Sequence, residues 1–297
     1  MNNKNKIGLF IMADKGAAVL KALLNAFGAK AIAYVVTARD SAVLEDGISK
    51  ILQLASEFGI HVYVKPDFPK DQEECIKIAV SWRWMMPVAP DRSLIVFHDS
   101  LLPRYRGFNP LVSALINGEE EIGVTAFIGS DECDKGLVVD QEAIRIKYPI
   151  TIIQAIQAIV PCYEALAIKI GKKILSNSIS GCSQDENKAT FSLWRDDGDY
   201  QINWKSTAAQ IRRFIDAVGY PYKGAFCYIG SKKCRVLECE EMGDIQIENR
   251  TSGKVIFIKN GLPVVVCGKG LLKIKSLICC ETSENLLPLR KLKTRFS

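Results

Sequence analysis

His98 is one of only two histidines in this 297-residue chain, and it ends the apolar run "LIVF". Asp99 and Ser100 follow at once, and the loop Pro103, Arg104, Arg106, Gly107 comes next. An imidazole can take or release a proton near neutral pH, so a histidine at the end of a strand beside a polar loop is a candidate general base. A carboxylate near one ring nitrogen would fix the tautomer and stabilise the imidazolium. The acidic loop "SDECDKG" (130 to 136) offers Asp131, Glu132 and Asp134 for that role. A structural alternative for the same loop is an acidic turn that caps a bend before Gly136. His61 lies within strand-like "IHVYV" with no polar companion, and is read as structural.

The elements that must position these groups follow from hydrophobic periodicity. "IGLFIMA" (7 to 13), "AIAYVVT" (31 to 37), "IHVYV" (60 to 64) and "RSLIVF" (92 to 97) read as strands. "AAVLKALLNAF", "ISKILQLASEFG" (48 to 59) and "DQEECIKIAVS" read as the intervening helices, the last with acids in its first turn. Alternation of apolar strands with helices predicts an α/β fold with a parallel sheet covered on both faces. Ligands of such sheets bind beyond the carboxyl ends of the strands, the rim on which His98 is expected. If "IGVTAFIG" (122 to 129) lies beside "SLIVF", the acidic loop reaches the same rim. A helix "PLVSALING", a strand "LVVDQEAIRI" and a long helix over about 151 to 170 complete this half. Residues 176 to 199 turn Ser-, Asn- and Asp-rich and read as a linker. Beyond it, one helix, "STAAQIRRFIDAVG", and five short strands predict a small barrel or open sheet. The domain boundaries expected are 1–195 and 196–297.

Composition excludes several classes. With 39 basic and 33 acidic residues the formal charge is +6, far short of a nucleic-acid binder, though compatible with anionic small molecules. The basic clusters "SKKCR" and "LRKLKTR" are short and read as solvated surface. The ten cysteines contain no CxxC and have no matching histidines, so neither zinc nor any other metal is expected. They read as reduced, buried packing residues of a cytoplasmic protein. The apolar run after "MNNKNK" is only seven residues, too short for a membrane span, and no membrane partner is expected. A dinucleotide-binding dehydrogenase is disfavoured because no G-x-G-x-x-G follows "IGLFIMA"; the loop there is "DKG".

"HDSLLPRYRG" (98 to 107), "INGEEEIGVTAF" (116 to 127) and "DKG" (134 to 136) together resemble the N10-formyltetrahydrofolate-dependent formyltransferases. That family's pattern is H-x-S-L-L-P-x-x-R-G, N-G-x-x-x-x-G-V-T, then D-x-G. "INWKSTAAQIRRFIDAVGYPYKGAF" (202 to 226) resembles the opening of the family's C-terminal domain, so the likeness spans nearly the whole chain. It implies a Rossmann-like formyltransferase core followed by a small β-rich, OB-like C-terminal domain. It also implies His98 as catalytic base with Asp134 as its orienting partner, N10-formyltetrahydrofolate as formyl donor, and no metal. The pterin would lie against "SWRWMMP" (Trp82, Arg83, Trp84 and Met85) and the acidic loop (Gly129, Asp131). Leu101, Leu102 and Pro103 would line a slot for the donor's aromatic linker, and Arg104, Arg106 and Asn109 would face the acceptor. Core packing is the competing role for Trp82 and Trp84.

The sequence departs from the family at Val96, where an Asn usually binds the formyl oxygen. Loss of such a donor costs on the order of 3 kcal/mol of transition-state stabilisation. A protonated His98, a backbone N–H or Asn109 would have to replace it, or turnover is slow or lost. Among acceptors, the wording of "FHDSLLPRYRGFNPL", "SWRWMMP" and the terminal "LKTRF" is most similar to the sugar formyltransferases, which act on nucleotide-linked amino sugars. A UDP-amino sugar precursor of pseudaminic acid is one such acceptor. Methionyl-tRNA formylation and a folate-binding relative with reduced activity are the alternatives. Glycinamide ribonucleotide enzymes lack the extra hundred residues, and formyltetrahydrofolate hydrolases begin with a regulatory domain not seen here. A homodimer is expected from the resemblance.

Overall fold

The computed structural model describes residues 6–40, 46–68, 75–86 and 94–297. These form two compact units. One holds residues up to Leu111 together with Glu121–Ile146 and Ile156–Leu193; the other holds Val112–Glu120, Lys147–Ala155 and Trp194–Ser297. Two short segments of the first half, Val112–Glu120 and Lys147–Ala155, thus cluster with the second.

The apolar runs of the first unit form buried strands. In chain order the elements are β1 (Ile7–Ile11), α1 (Ala13–Phe27), β2 (Ile32–Thr37), α2 (Ile48–Glu57), β3 (Val62–Val64), β4 (Ile76–Val80) and β5 (Leu94–His98). A two-residue strand β6 (Arg106–Gly107), α3 (Pro110–Asn117), β7 (Glu121–Ile128), β8 (Val138–Arg145) and α4 (Ile152–Leu175) follow, and β9 (Phe191–Ser192) pairs in parallel with β6. Seven strands make one sheet in the order β3-β2-β1-β4-β5-β7-β8. The first five are mutually parallel, whereas β5–β7 and β7–β8 are antiparallel.

β4 corrects the sequence reading. "IKIAV" was expected to continue a helix and instead fills the sheet between β1 and β5. Five residues carrying two isoleucines and a valine are too short for a stable amphipathic helix, and their branched side chains suit a strand buried on both faces. Residues 71–74 of that expected helix lie outside the described residues.

α4 is long and apolar enough to cross a membrane by length and composition. Its buried positions Ile159, Cys162, Tyr163, Leu166, Ala167, Ile170 and Ile174 recur at helical spacing. Lys169 and Lys173 pair with Asp140 and Glu142 of β8, so this is a helix with one face packed on a sheet.

The second unit carries α5 (Ala208–Val218), opened by a capping box between Thr207 and Gln210. Its antiparallel strands are β10 (Phe226–Ile229), β11 (Lys232–Met242), β12 (Val255–Lys259), β13 (Leu262–Val266) and β14 (Leu271–Cys279), ordered β10-β11-β14-β13-β12. The chain terminus joins the two edges. Tyr228 of β10 exchanges backbone hydrogen bonds with Ser297 at 2.7 and 2.9 Å. The Val255 N–H donates to Thr294 O at 3.0 Å, and the Phe296 N–H to Gly253 O at 2.7 Å. The terminal "TRFS" thus acts as a short closing strand that covers both exposed edges of an OB-like sheet.

All ten cysteines are free. Seven are buried, as expected, but Cys133 and Cys182 are exposed and Cys280 is half-buried. Burial pushes most of the interior thiols up, Cys267 to about 12. His61 lies exposed just before β3, edge-on to Tyr63 at 4.3 Å.

Candidate active site

His98 is the last residue of β5 and is buried. Its Nε2 lies 2.8 Å from the backbone oxygen of Tyr105. A carbonyl can only accept, so Nε2 carries the proton and Nδ1 is the basic nitrogen of the neutral ring. Nδ1 faces Asp134 Oδ2 at 3.7 Å. The arrangement is not a relay in which a carboxylate orients the ring from the far nitrogen. Orientation comes from the Tyr105 carbonyl, and Asp134 stands beside the nitrogen that would become charged.

Asp134 reaches this place by an unexpected route. β7 is antiparallel to β5, with His98 opposite Thr125 and Ile95 opposite Ile128. The acidic loop therefore leaves β7 at the far end of β5, where the Gly129 N–H donates to Leu94 O at 2.8 Å. It then folds back along the strand to His98. Two glycines permit this. A Cβ at Gly136 would lie 1.7 Å from Ile128 O, and one at Gly107 would lie 2.5 Å from Ser192 O. Gly107 also has φ +99°, which other residues rarely adopt, and its N–H donates to Asp134 Oδ2 at 2.7 Å. Asp134 itself is held at φ 52°.

The loop after His98 is pinned from beneath. Thr125 Oγ1 donates to Ser100 O (2.6 Å) and accepts from the Leu102 N–H (3.0 Å). The Gln141 amide donates to Leu102 O and to Thr125 Oγ1. From the other side the segment around 182–192, expected as a linker, is part of the site. Thr190 Oγ1 accepts from the Tyr105 N–H, Thr190 O accepts from the Arg106 N–H, and Ser192 O accepts from the Phe108 N–H. Polar composition alone cannot distinguish such an arm from a linker, because its hydrogen bonds go to residues about 85 positions away.

Arg106 corrects another expectation. It is fully buried, the largest such side chain among the described residues, and its guanidinium is spent on partners within the chain. Its guanidinium donates to Gln184 Oε1 through Nε (3.1 Å) and Nη2 (2.8 Å), and to both Glu186 oxygens at 2.9 and 2.8 Å. The hydrogen bond to Glu186 raises the guanidinium further, and the same bond lowers the Glu186 carboxyl. Arg104 is exposed and Asn109 half-buried at φ 49°.

Trp82 packs edge-on against Phe10 (5.3 Å) and Trp84 (5.0 Å), in the apolar cluster that Val96 also touches. Trp84 remains 37% exposed with the Lys65 ammonium over its ring, and Met85 is 88% exposed. Arg83 pairs with Asp40 at 2.5 Å. Leu102 is buried, so of the three slot residues only Leu101 and Pro103 keep accessible surface. Asp131 is exposed.

A group absent from the sequence reading lies on the opposite face of β5. Asp99, next to His98, accepts from the Lys15 ammonium and from the Tyr163 hydroxyl. Burial pushes the Asp99 carboxyl up, but Lys15 and Tyr163 together outweigh it and leave it lowered. Burial beside Asp99 drives the Tyr163 phenol well above its usual range. Its one sequence signal was Lys15, next to Asp14 in the first turn of α1 directly after the apolar β1. Among the described residues no group of three or more His, Cys, Asp or Glu side chains could hold a metal ion.

Comparison with known proteins bears on the family and the fold. The family model described as formyl transferase matches residues 86–159, and that described as formyl transferase, C-terminal domain, matches 196–282. The chain belongs to the formyltransferase family and is an enzyme of that type. Among solved structures it resembles WlaRD, a sugar 3N-formyltransferase crystallised with dTDP and 5-N-formyl-THF, at 17% identity and TM-score 0.68, over 94% of this chain and 99% of that one. The N-formyltransferase from Helicobacter canadensis, solved with folinic acid and dTDP-3-aminofucose, matches at 17% identity and TM-score 0.68 over 91% and 99%. A 4-N formyltransferase from Francisella tularensis matches at 19% identity and TM-score 0.57 over 76% and 93%. At these identities the structural likeness establishes the fold.

Proposed function

We propose that the protein transfers the formyl group of N10-formyltetrahydrofolate to the amine of a nucleotide-linked amino sugar. The observation that carries this reading is the imidazole of His98, with Nε2 committed to the Tyr105 carbonyl and Nδ1 free beside Asp134. In this reading the amine nitrogen bonds to the formyl carbon, and Nδ1 takes the amine proton. Asp134 stabilises the imidazolium that results. Collapse breaks the bond to the folate N10, which recovers the proton, and leaves a formamide and tetrahydrofolate. Trp84 and Met85, exposed, and Leu101 and Pro103, half-buried, supply accessible apolar surface suited to a flat pterin and its aromatic linker. The sugar enzymes above, solved with dTDP or dTDP-3-aminofucose, support a nucleotide-sugar acceptor. A precursor of pseudaminic acid belongs in the same test.

The test is formylation of a panel of dTDP-, UDP- and GDP-linked amino sugars with N10-formyltetrahydrofolate. One formamide product, lost in His98→Ala, supports the reading and identifies the acceptor. Folate binding without sugar formylation turns the reading toward methionyl-tRNA or toward a binder with little turnover. Absence of folate binding removes it.

Val96→Asn adds a second test. An amide here restores the donor usual in the family, but it must leave water against the Phe10–Tyr34–Trp82 cluster. The variant is expected to retain or raise kcat while losing about 1–3 kcal/mol of stability in urea unfolding. A folded variant with a tenfold lower kcat, on the order of 1.4 kcal/mol of barrier, would mean that the valine itself shapes the donor pocket.

A further inference from the structure

We propose that Gln184 is a positioning residue for formyl transfer, holding the Asp134 carboxylate against His98 by tying the Asp134–Gly136 turn to Arg106. The inference rests on the reading of His98 and Asp134 given above. The Gln184 amide nitrogen donates to Asp134 O (2.7 Å) and to Gly136 O (2.9 Å), using both of its hydrogens. Its oxygen accepts from Nε and Nη2 of Arg106. A primary amide offers two donors and an acceptor in one plane, which is what two carbonyls and one guanidinium edge require.

Three observations make this more than local packing. Asp134 sits at φ 52°, a left-handed conformation uncommon outside glycine though more accessible to Asp than to most residues, and contacts to its own backbone help hold it there. Gln184 grips the carbonyl of that same residue. Arg106, at the other end of the tie, belongs to the loop whose Tyr105 carbonyl sets the His98 ring and whose Gly107 N–H holds the Asp134 carboxylate. Together with the Gly107 hydrogen bond, this one amide ties the loop that sets the His98 ring to the turn that carries Asp134. Glu186 covers the outer edge of Arg106 and is itself 62% exposed, so it neutralises the arginine from the solvent side.

The experiment is a double-mutant cycle in the full chain, assayed by formyl transfer to the acceptor found above. Gln184→Met keeps the side-chain length and removes every hydrogen bond. Gln184→Glu keeps an acceptor for Arg106 and removes both donors, and serves if the methionine variant does not fold. Either is expected to lower kcat by about tenfold to a hundredfold, the range for a small misplacement of a reacting group. KM for the formyl donor should stay within about threefold, as it does when an interaction made only in the transition state is lost. In an Asp134→Asn background the same change should cost nothing further, because Gln184 acts through the carboxylate already removed. Unchanged kcat in the single variant overturns the proposal, and so does an equal, independent loss in the Asp134→Asn background. Wild-type turnover by Asp134→Asn alone would instead remove the reading on which the proposal stands, and the two failures are told apart by that single variant.

Discussion

His98→Ala is expected to lower kcat for formyl transfer by about a hundredfold to ten-thousandfold, the span attributable to one positioned general base. The loss should fall on kcat with little change in KM for either substrate, because the imidazole acts on a proton that moves only in the transition state. The ring cannot be replaced by rotation of a neighbour. Ser100 Oγ is committed to Arg104 O, and Asp99 points to the opposite face toward Lys15 and Tyr163. Folding should survive, since the His98 side chain contributes one hydrogen bond, to Tyr105 O, and the backbone bonds of β5 are kept. Steady-state kinetics of the purified variant, with circular dichroism as the folding control, decides the matter. A folded His98→Ala protein with kcat within a few-fold of wild type would sink the assignment of the base and shift it to Asp134.

Lys15→Met is expected to cost about 3 kcal/mol of stability, the lower end of the range for breaking a buried ion pair from one side. The pair is well shielded, with side-chain exposures of 10% for Lys15 and 22% for Asp99. The mutation strands the Asp99 charge with the Tyr163 hydroxyl as its remaining partner. The pH dependence follows from the sign of the shift. Asp99 is lowered in the folded protein, so its ionisation adds stability above the usual aspartate range and that contribution fades as pH falls through the folded value. In Lys15→Met the stranded carboxyl is pushed up instead and accepts a proton earlier. The deficit should therefore be largest at neutral pH and shrink in acid. Urea unfolding of both proteins at pH 7 and pH 4 measures it. An equal deficit at both values would mean that lost packing of the lysine stem, not the stranded charge, accounts for the effect.

Residues with local periodicity were legible from the chain alone. The strands β1, β2 and β5, the helices α1, α2 and α5, and the short strands of the second unit all fall where apolar spacing predicted them. Hydrophobic burial is periodic in sequence because helices and strands are. His98 at the end of β5 was legible for the same reason, since a polar residue that closes an apolar strand must lie at the sheet's edge. "IKIAV" was not, because a short apolar run satisfies both periods and only its neighbours in the sheet decide between them.

The chain by itself placed an imidazole at a strand end beside a loop of proline, arginines and glycine, and its resemblance to the formyltransferases singled out a carboxylate 36 positions later as the partner. Tertiary structure alone decided how they meet. Antiparallel pairing of β7 with β5 sends the acidic loop back along the strand. The arm around 182–192 returns to clasp the loop after His98, and Arg106 is turned inward to Gln184 and Glu186. None of this leaves a local trace. Hydrogen bonds between residues 50 to 85 positions apart depend on chain reversals, whereas side-chain composition records only whether a residue prefers water or the core.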